Sequence, residues 1–91
     1  MERKEISVHE IRVFRVLRSS GWLTSKELAD AADVSPRTAR AHLLKLVQLG
    51  IVDEAKVFPG HRYRLSEHAA QRNRGYFDRI ERADKIFKEE R

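Results

Sequence analysis

The sequence predicts a mainly α domain with a small β-hairpin, an α+β chain of three helices, the hairpin and a C-terminal helix. Three observations predict it. Apolar residues recur at helical spacing behind cap residues at Ser7, Thr24 and Ser35. Glycines stand where the periodic runs stop, at Gly21 and Gly50. After Gly50 the period changes to two, and Pro59-Gly60 separates two strand-like runs.

The first helix opens at Ser7, with Glu10 completing a Ser-x-x-Glu capping box: the hydroxyl takes an orphan N–H and the carboxylate reaches back. Val8, Ile11, Val13, Phe14, Val16 and Leu17 form its apolar face, and Arg12, Arg15 and Arg18 read as its solvated side. Ser19-Ser20-Gly21 ends it, the glycine taking left-handed cap geometry. Trp22-Leu23 is a short extended link able to add a strand to the hairpin. Thr24 and Glu27 form a second capping box, followed by the small inner face Leu28, Ala29 and Ala32. The Asp33-Val34 turn points Val34 inward. Ser35 caps the third helix and Pro36 takes its first position, where a missing N–H costs nothing. Ala39, Leu43, Leu46 and Val47 turn inward, and Gly50 stops the helix.

Ile51 to Val57 and His61 to Leu65 form the hairpin strands, and Phe58-Pro59-Gly60-His61 fits a type II turn. Alternation places Tyr63 and Leu65 on one face and Arg62 and Arg64 on the other. From Ser66 a last helix runs to about Arg91. Ala69, Asn73, Tyr76, Ile80, Ala83 and Phe87 form a short heptad seam along it, with Asn73 at an a position and Gly75 a weak point.

Composition narrows the function. Ninety-one residues make one small domain, which makes an obligate dimer reasonable. The absence of cysteine excludes disulfides, zinc-thiolate sites and cysteine nucleophiles. No apolar run reaches membrane-spanning length, and the first residues do not lead into a signal-peptide core, so a cytoplasmic, nucleoid-associated protein is expected. The net charge of +5 is uneven: residues 1–34 sum to zero, residues 35–65 to +4 and residues 66–91 to +1. A basic excess on the third helix and hairpin is an electrostatic footprint for nucleic acid. The carboxylates Glu27, Asp30, Asp33, Asp53 and Glu54 occupy cap, turn and strand positions, with neither a Ser-His-Asp set nor a glycine-rich phosphate loop nearby. No enzyme, cofactor or small-molecule ligand is therefore expected.

The order of elements is that of a helix-turn-helix followed by a wing. The Leu28-Ala29 pair, Val34-Ser35, Thr38-Ala39-Arg40, His42-Leu43, Leu46 and Leu49-Gly50-Ile51-Val52, then Arg62-Tyr63-Arg64-Leu65-Ser66, carry a resemblance. Across roughly residues 8–66 the chain resembles the winged helix-turn-helix domain of bacterial and archaeal transcription regulators of the ArsR and MarR type. Metal sensing, found in part of the ArsR group, is not carried over: the histidines stand scattered at 9, 42, 61 and 68.

The resemblance implies that residues 7–65 form the DNA-binding domain; the heptad seam makes 66–91 a dimerisation element, the alternative being a monomer whose last helix simply covers the first. The resemblance also implies that the outward positions of the third helix enter the major groove while the wing follows the backbone or minor groove. Carried onto this chain, Pro36, Arg37, Arg40, Ala41 and Leu44 face outward, with Lys45 on the flank. Arg37 and Arg40 are the candidates for guanine, since arginine can donate two hydrogen bonds to O6 and N7. Ser35 and Thr38 sit at the helix N-terminus, where they suit a phosphate or serve as caps. Ala41 suits a thymine methyl or merely allows close approach. His42 is either a base reader or a half-buried packing residue, and Lys45 suits phosphate. Arg62, Arg64 and His61 are the wing's candidates for phosphate or minor groove. The expected function is a sequence-specific regulator of double-stranded DNA, a repressor binding an inverted repeat as a homodimer through Ala69, Asn73, Tyr76, Ile80, Ala83 and Phe87. The alternatives are a winged-helix protein-interaction or assembly module and a non-specific nucleic-acid-binding protein.

Overall fold

A computed structural model of the protein describes residues 6–57 and 60–89. Helix α1 spans Val8–Arg18, α2 Ser25–Ala32 and α3 Pro36–Gln48. Strands β1 (Val52–Val57) and β2 (Gly60–Leu65) pair antiparallel, with Val52 opposite Leu65 and Val57 opposite Gly60. Helices α4 (Ala69–Arg72) and α5 (Arg74–Glu89) complete the chain. The type II turn expected at Phe58-Pro59-Gly60-His61 lies partly outside the described residues, as does the end of the last helix at Arg91.

The caps form largely where the sequence places them. Thr24 and Glu27 make both bonds of the α2 capping box: the Thr24 N–H donates to Glu27 Oε1 at 2.9 Å and the Glu27 N–H to Thr24 Oγ1 at 3.1 Å. At α1 only half of the expected box exists. The Glu10 N–H donates to Ser7 Oγ at 3.1 Å, but the Glu10 carboxylate is buried, at 2% exposure. Glu10 shares an i, i+3, i+4, i+7 stripe with Val13, Phe14 and Leu17, so the spacing that buries them buries it too. Val8, two residues before Glu10 and off that stripe, is exposed. The left-handed glycine expected after α1 is also absent. The cap is Ser19, whose hydroxyl donates to the Arg15 carbonyl at 3.0 Å, and Gly21 does not take positive φ.

Two positions do take positive φ. Asp33 (φ 59°) turns the chain from α2 into α3, a geometry that a short polar side chain tolerates. Gly50 (φ 82°) ends α3 against the Arg72 side chain, where an added Cβ would lie 3.4 Å from Arg72 Cβ. Between them, Ala39, Leu43 and Leu46 pin the inner face of α3 onto Phe14, Leu28 and Ile51. The Trp22-Leu23 link does join the hairpin: Leu23 and Tyr63 exchange backbone N–H···O bonds of 2.8 and 2.7 Å.

The C-terminal segment departs most from expectation. A single helix from Ser66 is replaced by two, and the break falls at Asn73 rather than at Gly75. The Asn73 side chain competes with helix continuation: Nδ2 donates to the Leu49 carbonyl at 3.3 Å, and Oδ1 accepts from the Tyr76 N–H at 3.2 Å. Asn73 thus caps α5 and ties it to the end of α3, so it holds no seam position. Ala69, Tyr76 and Ile80 of the expected seam are buried in the chain's own core. Ala83 and Phe87 are half-buried, and Ile86 beside them is 52% exposed. Helix α5 lies against α1. Phe77 meets Phe14 edge-on with ring centroids 5.8 Å apart. Arg15 pairs with the buried Asp84 at 2.6 Å and Arg18 with Glu81 at 2.6 Å. Arg15 is therefore not on a solvated face, whereas Arg18 stays exposed beside Glu81; each also lies over a ring, Arg15 over Phe87 and Arg18 over Phe14.

Candidate nucleic-acid interface

With Ala39, Leu43 and Leu46 inward, helical geometry turns Arg37, Arg40, Ala41, Leu44 and Gln48 outward along one stripe. All five are exposed. Among the described residues neither Arg37 nor Arg40 has a carboxylate partner. Arg40 lies on the wing side of the helix, near enough for its charge to oppose the raised pKa of the Tyr63 hydroxyl. That pKa is raised first by burial, then by the charge and hydrogen bond of Glu54. Gln48, absent from the sequence-based candidates, extends the stripe to the helix end. Its i+11 spacing from Arg37 is the signal that finds it.

The start of α3 is committed to its own cap. The Thr38 N–H donates to Ser35 Oγ at 3.1 Å, and the Ser35 hydroxyl donates to Thr38 Oγ1 at 2.9 Å. Pro36 has no N–H to offer. His42 is half-buried on the flank facing α1. Desolvation by burial lowers its pKa; the Glu10 charge opposes this and those of Lys45 and His9 assist it. The neutral ring therefore prevails at neutral pH. Lys45 also turns toward the protein. Its Nζ lies 3.3 Å from Glu10 Oε1 and 5.1 Å from the centre of the Tyr76 ring. A carboxylate forced into the core by its neighbours requires a counter-charge, and Lys45 supplies it.

The wing divides likewise. Register places Val52, Glu54 and Lys56 on the face of Leu65, Tyr63 and His61, and Asp53 and Ala55 on the face of Arg64 and Arg62. Glu54 Oε2 accepts from the Tyr63 hydroxyl at 3.4 Å and lies 2.9 Å from His61 Nδ1. Arg64 is held within the protein: its guanidinium stacks 4.6 Å above the Trp22 ring and its Nε lies 3.5 Å from Asp53. Asp53 also receives Arg72 at 3.4 Å. Arg62 and Lys56 have no ion-pair partner among the described residues. Arg37 and Arg40 on α3, with Lys56 and Arg62 on opposite faces of the wing, are thus the cations of these elements without an ion-pair partner among the described residues. Lys45 and Arg64, which the sequence groups with them, lie instead beside acids: Lys45 beside Glu10, and Arg64 beside Asp53, which it shares with Arg72.

Among the described residues no helix is long and apolar enough to cross a membrane. The family described as the helix-turn-helix domain matches residues 10–55. No curated protein matches the chain. Solved structures share the fold. A MarR-family transcriptional regulator from Silicibacter pomeroyi superposes with a TM-score of 0.65 at 19% identity, covering 90% of this chain and 57% of its own. The AntR antimony-specific transcriptional repressor gives 0.62 at 23% identity, covering 87% and 66%. The ST1889 protein of the archaeon Sulfolobus tokodaii gives 0.61 at 23%, covering 90% and 79%. The chain spans less than two thirds of the first two. The architecture is therefore the winged helix-turn-helix that the sequence predicts. With its match running from the first helix into β1, over half of the 91 residues, the chain belongs to the helix-turn-helix domain family.

Proposed function

We propose that the protein is a sequence-specific, double-stranded DNA-binding transcription regulator. One observation carries the reading: the outward stripe of α3 presents two arginines without carboxylate partners among the described residues, on the face that the fold leaves uncovered. Arg37 and Arg40 read guanine in the major groove. Arg62, Lys56 and His61 meet the backbone beside them. Residues 7–65 act as the reading domain.

In the same proposal the protein acts as a homodimer that represses by occupying an inverted repeat. Dimerisation belongs to the end of the 66–91 segment, where exposed Ile86 and half-buried Ala83 and Phe87 leave apolar surface unsatisfied. The repressor role of one structural relative supports this reading by likeness of fold. A two-fold dimer sets its reading helices about 34 Å apart, one turn of DNA.

The runner-up, a protein-interaction module, requires an apolar recognition face. Helix α3 offers one exposed leucine, Leu44, one turn beyond two arginines without carboxylate partners among the described residues, which favours DNA. Selection of bound duplexes from a random pool tests the function: a recurrent palindromic motif is expected. Equal recovery of all sequences would instead indicate non-specific binding.

A further inference from the structure

Leu44 is the large apolar residue of α3 that stays exposed among the described residues. It is 53% exposed, whereas Leu43 and Leu46 on the same helix are buried. A single exposed leucine is ordinary on a protein surface. Its position is the informative part. Arg37, Ala41 and Leu44 stand at i, i+4 and i+7, with Arg40 beside them, so an apolar strip of Ala41 and Leu44 runs between and beyond the two guanidiniums. A partner that accepts both must combine strong negative charge with a small apolar group at groove depth. The major-groove edges of the bases present one such group, the C5 methyl of thymine. An apolar protein surface would leave both arginines desolvated without counter-charge.

We propose that Leu44, with Ala41 leaving room beside it, reads one thymine methyl group in each half-site, which makes Leu44 a specificity-determining residue. This rests on the DNA-reading function proposed above. Helical rise sets the spacing: seven residues from Arg37 to Leu44 advance about 10.5 Å. At about 3.4 Å per base pair that is roughly three steps. Each half-site therefore carries a thymine two to three base pairs from the guanine met by Arg37.

The test uses the full chain and the duplex recovered by random-pool selection, with each thymine replaced in turn by deoxyuridine. This removes one methyl and leaves every hydrogen-bonding group in place. Affinity falls about fourfold at one thymine per half-site, the effect of one buried methyl-sized group, and is unchanged at the others. Leu44→Ala binds the thymine and deoxyuridine duplexes alike, with an unaltered melting temperature because the side chain is exposed. Arg37→Ala keeps the thymine preference while losing that for guanine. Selective binding that is indifferent to deoxyuridine at every position overturns methyl reading and leaves DNA reading intact, as does an undiminished thymine preference in Leu44→Ala. Failure of the selection to enrich any duplex overturns both.

Discussion

Replacing Lys45 with Met separates the role the sequence suggests for this residue from the role the structure assigns. In the sequence Lys45 is a phosphate ligand. In the structure its ammonium lies 3.3 Å from Glu10, whose side chain is 3% exposed. Glu10 Oε2 is buried without a hydrogen-bond partner, so Lys45 is the principal compensation for that carboxylate. Removing one partner of a fully buried pair costs roughly 3–5 kcal/mol. The Lys45 side chain is 44% exposed, however, and solvent screens part of the interaction, which reduces the expectation to about 2 kcal/mol. For a domain of this size that lowers the melting temperature by roughly 8–16 °C. Pairing Lys45→Met with Glu10→Leu returns stability to near the parent value, since an apolar pair of similar volume removes the buried charge altogether. Thermal and urea denaturation followed by circular dichroism measure both effects. The salt dependence of DNA binding supplies the functional half, and its slope remains that of the parent in Lys45→Met. A protein of undiminished stability whose slope falls by about 0.9 would refute the reasoning and return Lys45 to the phosphate backbone.

Other expectations follow from the same geometry. Arg37→Ala and Arg40→Ala each lose about 1–3 kcal/mol of discrimination at a defined base pair, read by competition among single-base variants; an unchanged ranking would remove them from base readout. Arg62→Ala flattens the salt slope by about 0.9 with little loss of stability. Arg64→Ala leaves the slope nearly intact and instead removes the guanidinium from the face of Trp22, visible as a fluorescence change. Ile86→Asp with Phe87→Asp yields a folded monomer by sedimentation, with much weaker binding to the two-fold site; a persistent dimer would place the interface elsewhere. His42, whose folded-state pKa is depressed, resists protonation that the unfolded chain accepts, so its contribution lowers stability as pH falls below about 6.5. His42→Asn removes that part of the decline, and parallel melting curves from pH 7 to pH 5 for both proteins would contradict it.

The parts of the molecule that depend on near neighbours are legible in the sequence. The caps at Ser7, Thr24 and Ser35, the inward stripe of α3 and the alternation in β2 are governed by residues within two turns of one another. The partners of charged side chains are not. Arg15 and Arg18 meet acids 69 and 63 residues away, and no local spacing announces that encounter. Glu10 satisfies the capping-box pattern and the core stripe equally well, and tertiary packing decides between them. Asn73 presents a similar ambiguity. A polar residue in an apolar repeat fits both a coiled-coil a position and a helix cap, and the nearby Leu49 carbonyl, which needs a donor, resolves it. For the interface, the third helix is readable because its inner face fixes its outer one. The wing is less so, since Asp53 disarms Arg64 from the opposite strand.

Asn73 gives the molecule a shared pivot. One side chain donates to the last turn of the reading helix and accepts from the first turn of α5, so the two helices have a common fixed point. A partner gripping the far end of α5 holds a lever of about 16 residues whose fulcrum lies at the base of α3. Tyr76, Phe77, Ile80 and Asp84 fasten the rest of α5 to the core and to α1, so a displacement of the helix is shared between those contacts and the two Asn73 bonds. In the proposed dimer, the Asn73 amide is one of the contacts through which the position of α5 bears on α3.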